Sequence, residues 1–122
     1  MNDTNSRTLR KLGTDEAFYF FTDIDKYTGQ SASSLEEFLG RIKEVDAKSL
    51  EFHLFREDFE KWASSTLVDI QLSKDIAMLR KHKAAGVGLR DRLSSVVSKR
   101  LKELKAPLQP EDKKQVKKKE GL

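Results

Sequence analysis

Positive and negative charges are segregated along this chain, and the segregation limits which part of it can fold into a core. Residues 1–79 have a net charge of −5, whereas residues 80–122 have a net charge of +9. The segment 107–122 is rich in lysine and has no apolar period, which predicts a flexible basic tail. If the polar residues before Thr14 are also flexible, about ninety residues remain to build one compact domain.

Three parts are predicted on this basis: a polar N-terminal arm (residues 1–14), a compact mostly helical domain (residues 15–106) and a basic flexible tail (residues 107–122). The sequence contains no cysteine, which excludes disulfides and thiolate metal sites. The N-terminus lacks an apolar secretion signal, and the longest uninterrupted apolar run, Ala17–Phe21, is too short to cross a bilayer. We therefore expect a cytoplasmic protein without a membrane partner.

An aromatic segment at residues 17–22 predicts the one N-terminal strand of the fold. Residues 26–29 are typical of the turn that follows it. A strand needs a partner for its backbone groups, and no second strand is evident in the sequence. We therefore expect the strand to pair across a homodimer, with an interface formed by Phe18, Tyr19, Phe20 and Phe21.

Apolar residues at helical spacing predict four or five helices after this strand. Ser33 and Glu36 have the spacing of a capping box at the start of the first helix. Asp46 is suited to cap the next segment, in which a break near Glu57 divides two short helices. The aromatic residues of that segment are expected in the core at helical spacing: Phe52, Phe55, Phe59 and Trp62.

Two further helices complete the prediction. Thr66 or Asp69 begins the first of them, and the glycines of residues 86–88 interrupt the pattern after it. The last helix runs from about Leu89 to Lys105, where the prolines at 107 and 110 prevent its continuation. The predicted fold class is therefore mostly α, with one strand.

Several segments of this sequence resemble a mainly archaeal family of uncharacterised domains, over roughly residues 16–80. They are Glu16–Thr22, Tyr27–Gly29, Ser34–Phe38 and Glu51–Trp62. The resemblance implies an archaeal cytosolic origin, and a factor that pairs ribosomes is one function it suggests. It also implies a glycine before Asp69, where this chain has Val68.

The basic end of the chain predicts binding to a polyanion, of which nucleic acid is the commonest. Arginines on a helix can grip phosphates with two hydrogen bonds, and flexible lysines add salt-sensitive attraction. The predicted contact residues are Arg90, Arg92, Lys99, Arg100, Lys102, Lys105, Lys113, Lys114, Lys117, Lys118 and Lys119.

We therefore predict a non-enzymatic, RNA- or ribosome-associated protein, in which a dimer engages rRNA phosphates and could pair or occlude ribosomal subunits. A DNA-associated chromosomal protein fits the same charges. A protein-interaction adaptor with an acidic partner is a further alternative. No catalytic residue, metal or cofactor is assigned.

A small enzyme or ligand-binding domain is the alternative from a different class, and it would centre on His53, Arg56 and Asp58. A His–Asp pair is capable of general acid–base work, and such a site predicts a pocket on which the three residues converge. A structural role for His53 is the simpler interpretation, because no nucleophile motif accompanies it. Asp23 and Asp25 could hold a divalent cation after the strand, but turn formation is the simpler role for them.

Overall fold

The computed structural model of this chain describes residues 3–106, which form six α-helices, one antiparallel hairpin and a single π-helical turn. In chain order the elements are α1 (Asp3–Leu9), β1 (Phe18–Asp23), β2 (Lys26–Ala32), α2 (Leu35–Glu44), α3 (Ala47–Phe55), α4 (Asp58–Lys61), the π-helical turn (Trp62–Thr66), α5 (Ile70–Lys81) and α6 (Gly86–Lys105). The mostly helical class is confirmed. The described residues contain one more helix and one more strand than predicted. None of the described helices is long and apolar enough to cross a membrane.

The hairpin corrects the prediction of a single strand with its partner in another subunit. Strand β1 pairs with β2 of the same chain, and the reversal lies at Ile24 and Asp25 rather than at residues 26–29. Asp25 has φ of 63°, a left-handed conformation that aspartate tolerates better than most residues. Strand β2 was not predicted from the sequence, because only Ala32 of its seven residues is buried and the strand therefore has no apolar alternation.

The inner face of β1 lies in the core and not in a subunit interface. Phe18 and Phe20 are 7% and 0% exposed, and the ring of Phe18 contacts those of Phe38, Phe59 and Trp62. These two residues are therefore withdrawn from the predicted dimer interface, because they are already buried within one chain. Tyr19 and Phe21 retain exposed area on the opposite face.

Helix α2 begins one residue later than the sequence suggested. Ser34, not Ser33, is the N-cap, and its hydroxyl accepts a hydrogen bond from the Glu37 amide. The Glu37 carboxylate in turn accepts from the Ser33 amide at 2.8 Å, and this bond lowers the pKa of Glu37. Ser34 thus makes the N-cap bond of a capping box, while Glu37 bonds to the amide one residue before the cap.

The aromatic run of residues 52–62 is divided as expected, but two of its four aromatics lie outside the core. Asp46 caps α3 through the Lys48 amide, and Glu57, with φ of 67°, separates α3 from α4. Phe52 and Phe55 lie off the buried face of α3, the first partly buried and the second 50% exposed, while Phe59 of α4 is fully buried. The prediction that Phe52 and Phe55 belong to the core is therefore wrong.

The segment predicted as a polar arm contributes to the fold. Its helix α1 places the buried Thr8 hydroxyl 3.0 Å from the Leu67 carbonyl, and Arg10 Nη2 donates to the Thr66 carbonyl. These bonds satisfy carbonyl groups at the C-terminal end of the π-helical turn, which lack partners in the helix itself. Leu12 extends the contact, since it is 5% exposed in the core.

Helix α6 completes the domain by packing against α2, α3 and α5. Its buried residues recur along one face: Leu89, Leu93, Val97, Leu101 and Leu104. The helix begins at Gly86, three residues before the predicted start, and ends at Lys105 as predicted. The remaining faces of α6 carry the basic residues that the sequence analysis assigned to nucleic acid.

Candidate functional site

Three of the six predicted basic residues on α6 are engaged by the rest of the domain. Arg90 donates from Nη2 to the Val45 carbonyl. Arg100 forms ion pairs with Asp69 at 2.8 Å and with Glu103 at 3.1 Å. Lys105 pairs with Glu36 at 2.8 Å near the end of the helix. These three side chains are therefore bonded within the domain, unlike those of the other three predicted residues of α6.

The buried ion pair between Asp69 and Arg100 stabilises the fold. The Asp69 side chain is 2% exposed, and its two oxygens are divided between two donors. Oδ1 accepts the Leu72 amide and so caps α5, while Oδ2 accepts Nε of Arg100. The bond to Asp69 raises the pKa of the Arg100 guanidinium, which favours its charged form. Arg100 has a structural role here, because releasing it would leave a buried carboxylate without a counter-charge.

Arg92, Lys99 and Lys102 form the outward side of the same helix. All three are exposed, and none has an ion pair with a side chain of residues 6–106. They follow one another at intervals of seven and three residues, which places them on one helical face. The face that sequence reasoning proposed for contact is therefore exposed and uncompensated.

A shallow groove of about 450 Å³ runs beside these residues, between α2 and α6. Lys43 of α2 contributes a further exposed ammonium to it. No carboxylate lines the groove, whose lining residues are Leu39, Lys43, Ser94, Ser95, Ser98, Lys99 and Lys102. We refer to Lys43, Arg92, Lys99 and Lys102 together as the basic face. The predicted tail residues Lys113, Lys114, Lys117, Lys118 and Lys119 lie outside the described residues.

His53, Arg56 and Asp58 are brought together at the junction of α3 and α4. Nε2 of the His53 imidazole accepts a hydrogen bond of 2.8 Å from the Phe21 amide of β1. Because a backbone amide can only donate, the ring proton lies on Nδ1, which donates to Asp58 Oδ2 at 2.8 Å. Arg56 Nε also donates to Asp58 Oδ2, at 3.1 Å.

This arrangement gives His53 a structural role. Burial lowers the pKa of the imidazole, although the hydrogen bond and charge of Asp58 act against the shift. The neutral ring has no free lone pair, since Nε2 is already an acceptor and Nδ1 carries the proton. A general base needs such a lone pair directed at its substrate. His53 therefore ties β1 to the α3–α4 junction, and it is not available as a base in this geometry.

A cavity of about 380 Å³ nevertheless lies beside this cluster, as the ligand-binding alternative required. Arg56 and Asp58 are on its wall, together with residues from both ends of β1 and from the hairpin turn. Asp23 and Asp25 belong to it as well. Asp23 Oδ1 accepts the Ile24 amide at 2.7 Å, which is a turn-forming role. Residues 3–106 contain no group of three or more metal-ligating side chains.

Comparison with known proteins identifies the family of this chain. DUF5752, a family of unknown function, matches residues 14–117. The chain belongs to this family. No curated protein and no solved structure matches the chain. The resemblance to a family of uncharacterised domains is thereby confirmed, and the DUF5752 match extends beyond the residues 16–80 that suggested it. The archaeal origin and the ribosome-pairing role stay predictions.

Sequence reasoning missed Lys43 and most of the walls of the pocket in this DUF5752 domain. Lys43 belongs to the acidic half of the chain, so the charge count drew attention away from it. The only local signal was its position four residues after Leu39, at the edge of the apolar stripe of α2. The pocket had a partial signal in His53, Arg56 and Asp58, but its other walls come from the hairpin that was predicted only in part.

Proposed function

We propose that this protein binds structured RNA, including rRNA in ribosomal particles, without catalysing a reaction on it. The basic face of α2 and α6 is the contact surface. The observation that supports this most strongly is the groove lined by Lys43, Lys99 and Lys102 with no carboxylate among its lining residues. An anion that enters it meets three positive charges that no described side chain neutralises.

The chemistry of the groove suits phosphate groups. Lysine ammonium groups attract phosphates as point charges and release condensed counterions from the nucleic acid. Arg92 adds a guanidinium whose fork matches two phosphate oxygens. Ser94, Ser95 and Ser98 add hydroxyl donors of the kind that position phosphates and sugars.

The same surface favours a structured RNA over a single strand. Proteins that bind single strands stack bases on exposed aromatic rings. No aromatic residue lines this groove. The exposed Tyr19, Tyr27 and Phe55 belong to the hairpin and to α3. A helix that holds its charges in fixed positions on one face instead fits the regular phosphates of a folded RNA backbone.

The basic tail and a dimer extend this proposal. Five lysines of the tail would strengthen the attraction to the RNA. Two copies of the basic face in one homodimer would bind one large RNA more tightly than either copy alone. Since β1 pairs within the chain, the dimer no longer rests on an unpaired strand.

Fluorescence anisotropy with a labelled RNA hairpin tests the proposal. The triple variant Lys43→Gln, Lys99→Gln, Lys102→Gln should bind about 10- to 100-fold more weakly than the native protein. The matched control replaces three other exposed lysines by glutamine, namely Lys26, Lys61 and Lys74. It removes the same charge and should change the affinity by less than about threefold, because only long-range attraction is affected.

Two outcomes would contradict the proposal. Equal losses in the triple variant and the control would mean that overall charge, and not the basic face, determines binding. A DNA duplex that competes as well as the RNA hairpin would favour the chromosomal alternative.

A further inference from the structure

The hairpin pocket is a second concave site, separate from the basic face. It lies between β1, the hairpin turn and the end of α3, and it has a volume of about 380 Å³. Aromatic rings form much of its wall, and they come from Phe18, Tyr19, Phe21 and Phe52. Its size and apolar wall are those of a site for a small molecule.

Carboxylates outnumber cations in this pocket. Asp23, Asp25 and Asp58 are on its wall, against the single guanidinium of Arg56. Asp58 accepts the bonds from His53 and Arg56 through the same oxygen, Oδ2. Its other oxygen, Oδ1, has no hydrogen bond within the described residues, and neither does the side chain of Asp25. Two carboxylate groups thus keep acceptor capacity for a ligand.

The aromatic wall and the free carboxylates call for the same kind of ligand. A cation is attracted to the face of an aromatic ring and to a carboxylate alike. The protein itself provides an example, since the Arg56 guanidinium carbon lies 4.8 Å from the centre of the Phe52 ring while Nε binds Asp58. A neutral ligand would lack the charge attraction to both groups, and an anion would be repelled by the net negative charge.

We propose that the hairpin pocket binds a small organic cation, an amine carried on an apolar body. The ammonium group lies among Asp23, Asp25 and Asp58, and the apolar body lies against Tyr19 and Phe21. His53 forms part of the rigid wall, because both of its ring nitrogens are engaged by the protein. The site therefore retains its ligand without transforming it through His53. This proposal does not depend on RNA binding by the basic face.

An NMR titration of the full chain with phenethylamine tests the proposal, with 2-phenylethanol as the control ligand. The two probes share one skeleton and differ in an ammonium against a hydroxyl group. Phenethylamine should bind on the order of tenfold more tightly, because only it brings a positive charge to the carboxylates. The largest shift changes should fall on the amides of Phe21, Ile24 and Phe52.

The variant Asp25→Asn identifies the role of the carboxylates. Asparagine also tolerates the positive φ of this position, so the turn is retained while the charge is lost. Affinity for phenethylamine should fall about three- to tenfold, while affinity for 2-phenylethanol stays unchanged. Asp91→Asn, which removes an exposed carboxylate from α6, is the matched control and should leave both affinities unchanged.

The proposal is overturned if phenethylamine shows no saturable binding, or if the alcohol binds as tightly as the amine. It is equally overturned if the shift changes lie away from the hairpin, or if Asp25→Asn leaves the affinity for the amine unaltered. RNA affinity of Asp25→Asn should remain native, so that failure here leaves the proposal for the basic face in place.

Discussion

The two sides of α6 carry similar numbers of basic residues and have different environments. On the side that meets the domain, Arg90 and Arg100 bond to the Val45 carbonyl and to the buried Asp69 carboxylate. On the outward side, Arg92, Lys99 and Lys102 have no ion pair with any described side chain, those of residues 6–106. One helix thus combines charges that hold the fold with charges that are free to bind.

A count of charges in the sequence therefore cannot distinguish a residue that stabilises the fold from one that is free to bind a ligand. A paired arginine would have to break its ion pair before it could contact a phosphate, and a buried partner makes that costly. An unpaired lysine at the surface has no such cost, and it gains entropy when counterions leave the RNA. Stability measurements should therefore respond to the inner side, and RNA affinity to the outer side.

The largest expected change in stability comes from a substitution on the inner side of α6. Arg100→Ala should lower the free energy of unfolding by about 3 kcal/mol, because it leaves Asp69 buried without a counter-charge. Arg92→Ala is the matched control, and it should change stability by less than about 0.5 kcal/mol because Arg92 is exposed and unpaired. Urea unfolding measures both. A loss of stability for Arg92→Ala as large as that for Arg100→Ala would contradict the distinction between the two sides of α6.

A second prediction extends the comparison to His53, another interior polar group. Burial lowers its pKa in the folded protein, so the unfolded chain binds more protons between the lowered pKa and the usual 6.5. Above pH 6.5 the free energy of unfolding should therefore be at its full value with respect to His53. It should decline as the pH falls from 6.5 to the lowered pKa, by at most about 1.4 kcal/mol per pH unit.

Unfolding midpoints between pH 7.5 and 5 measure this decline. The variant His53→Gln should flatten it, since glutamine can make both hydrogen bonds without titrating. His82→Gln, at an exposed position, is the control and should keep the native slope. An identical slope in His53→Gln would contradict the assignment of the decline to His53.

A third prediction concerns the turn that presents Asp69 to Arg100. Val68 has φ of 58°, a conformation that is strained for a β-branched residue. Val68→Gly should raise stability by about 0.5–1 kcal/mol, because the relief of strain exceeds the entropy that glycine adds to the unfolded chain. Val68→Ala keeps a Cβ and should gain less. A destabilised glycine variant in thermal unfolding would show that packing of Val68 outweighs its strain.

The smallest expected changes in stability and RNA affinity concern Lys105, which shares features with both sides of α6. Lys105 is exposed, but it is paired with Glu36. Lys105→Gln should change stability by less than about 0.5 kcal/mol, as expected for a surface ion pair. RNA affinity should fall by less than about twofold, because this lysine is already neutralised. A loss as large as that for Lys99→Gln would place Lys105 on the binding side.

Local sequence signals predicted the parts of the fold that depend on neighbouring residues. The cap at Asp46 was predicted, and Asp69 was one of two predicted starts of α5, because a cap needs only a side chain and an amide two or three residues later. The break before α4 and the end of α6 have similarly local causes. The structural role of His53 was also the preferred interpretation.

Contacts between distant residues account for what the sequence did not reveal. Strand β2 is polar, and its pairing with β1 is the only reason that it is a strand. Asp69 and Arg100 are 31 residues apart, so nothing in the local sequence marks Arg100 as paired. Lys43 joins the basic face only because α2 packs against α6. In each case tertiary packing assigns the role.

The salt dependence of RNA binding tests the central claim most directly. Each phosphate contact contributes about one unit to the slope of log affinity against log salt. The triple variant Lys43→Gln, Lys99→Gln, Lys102→Gln should therefore lose about three units of slope. Arg100→Lys, which keeps the charge on the inner side, should retain the native slope as long as it folds. A triple variant with the native slope would contradict the assignment of RNA contact to the outer side of α6.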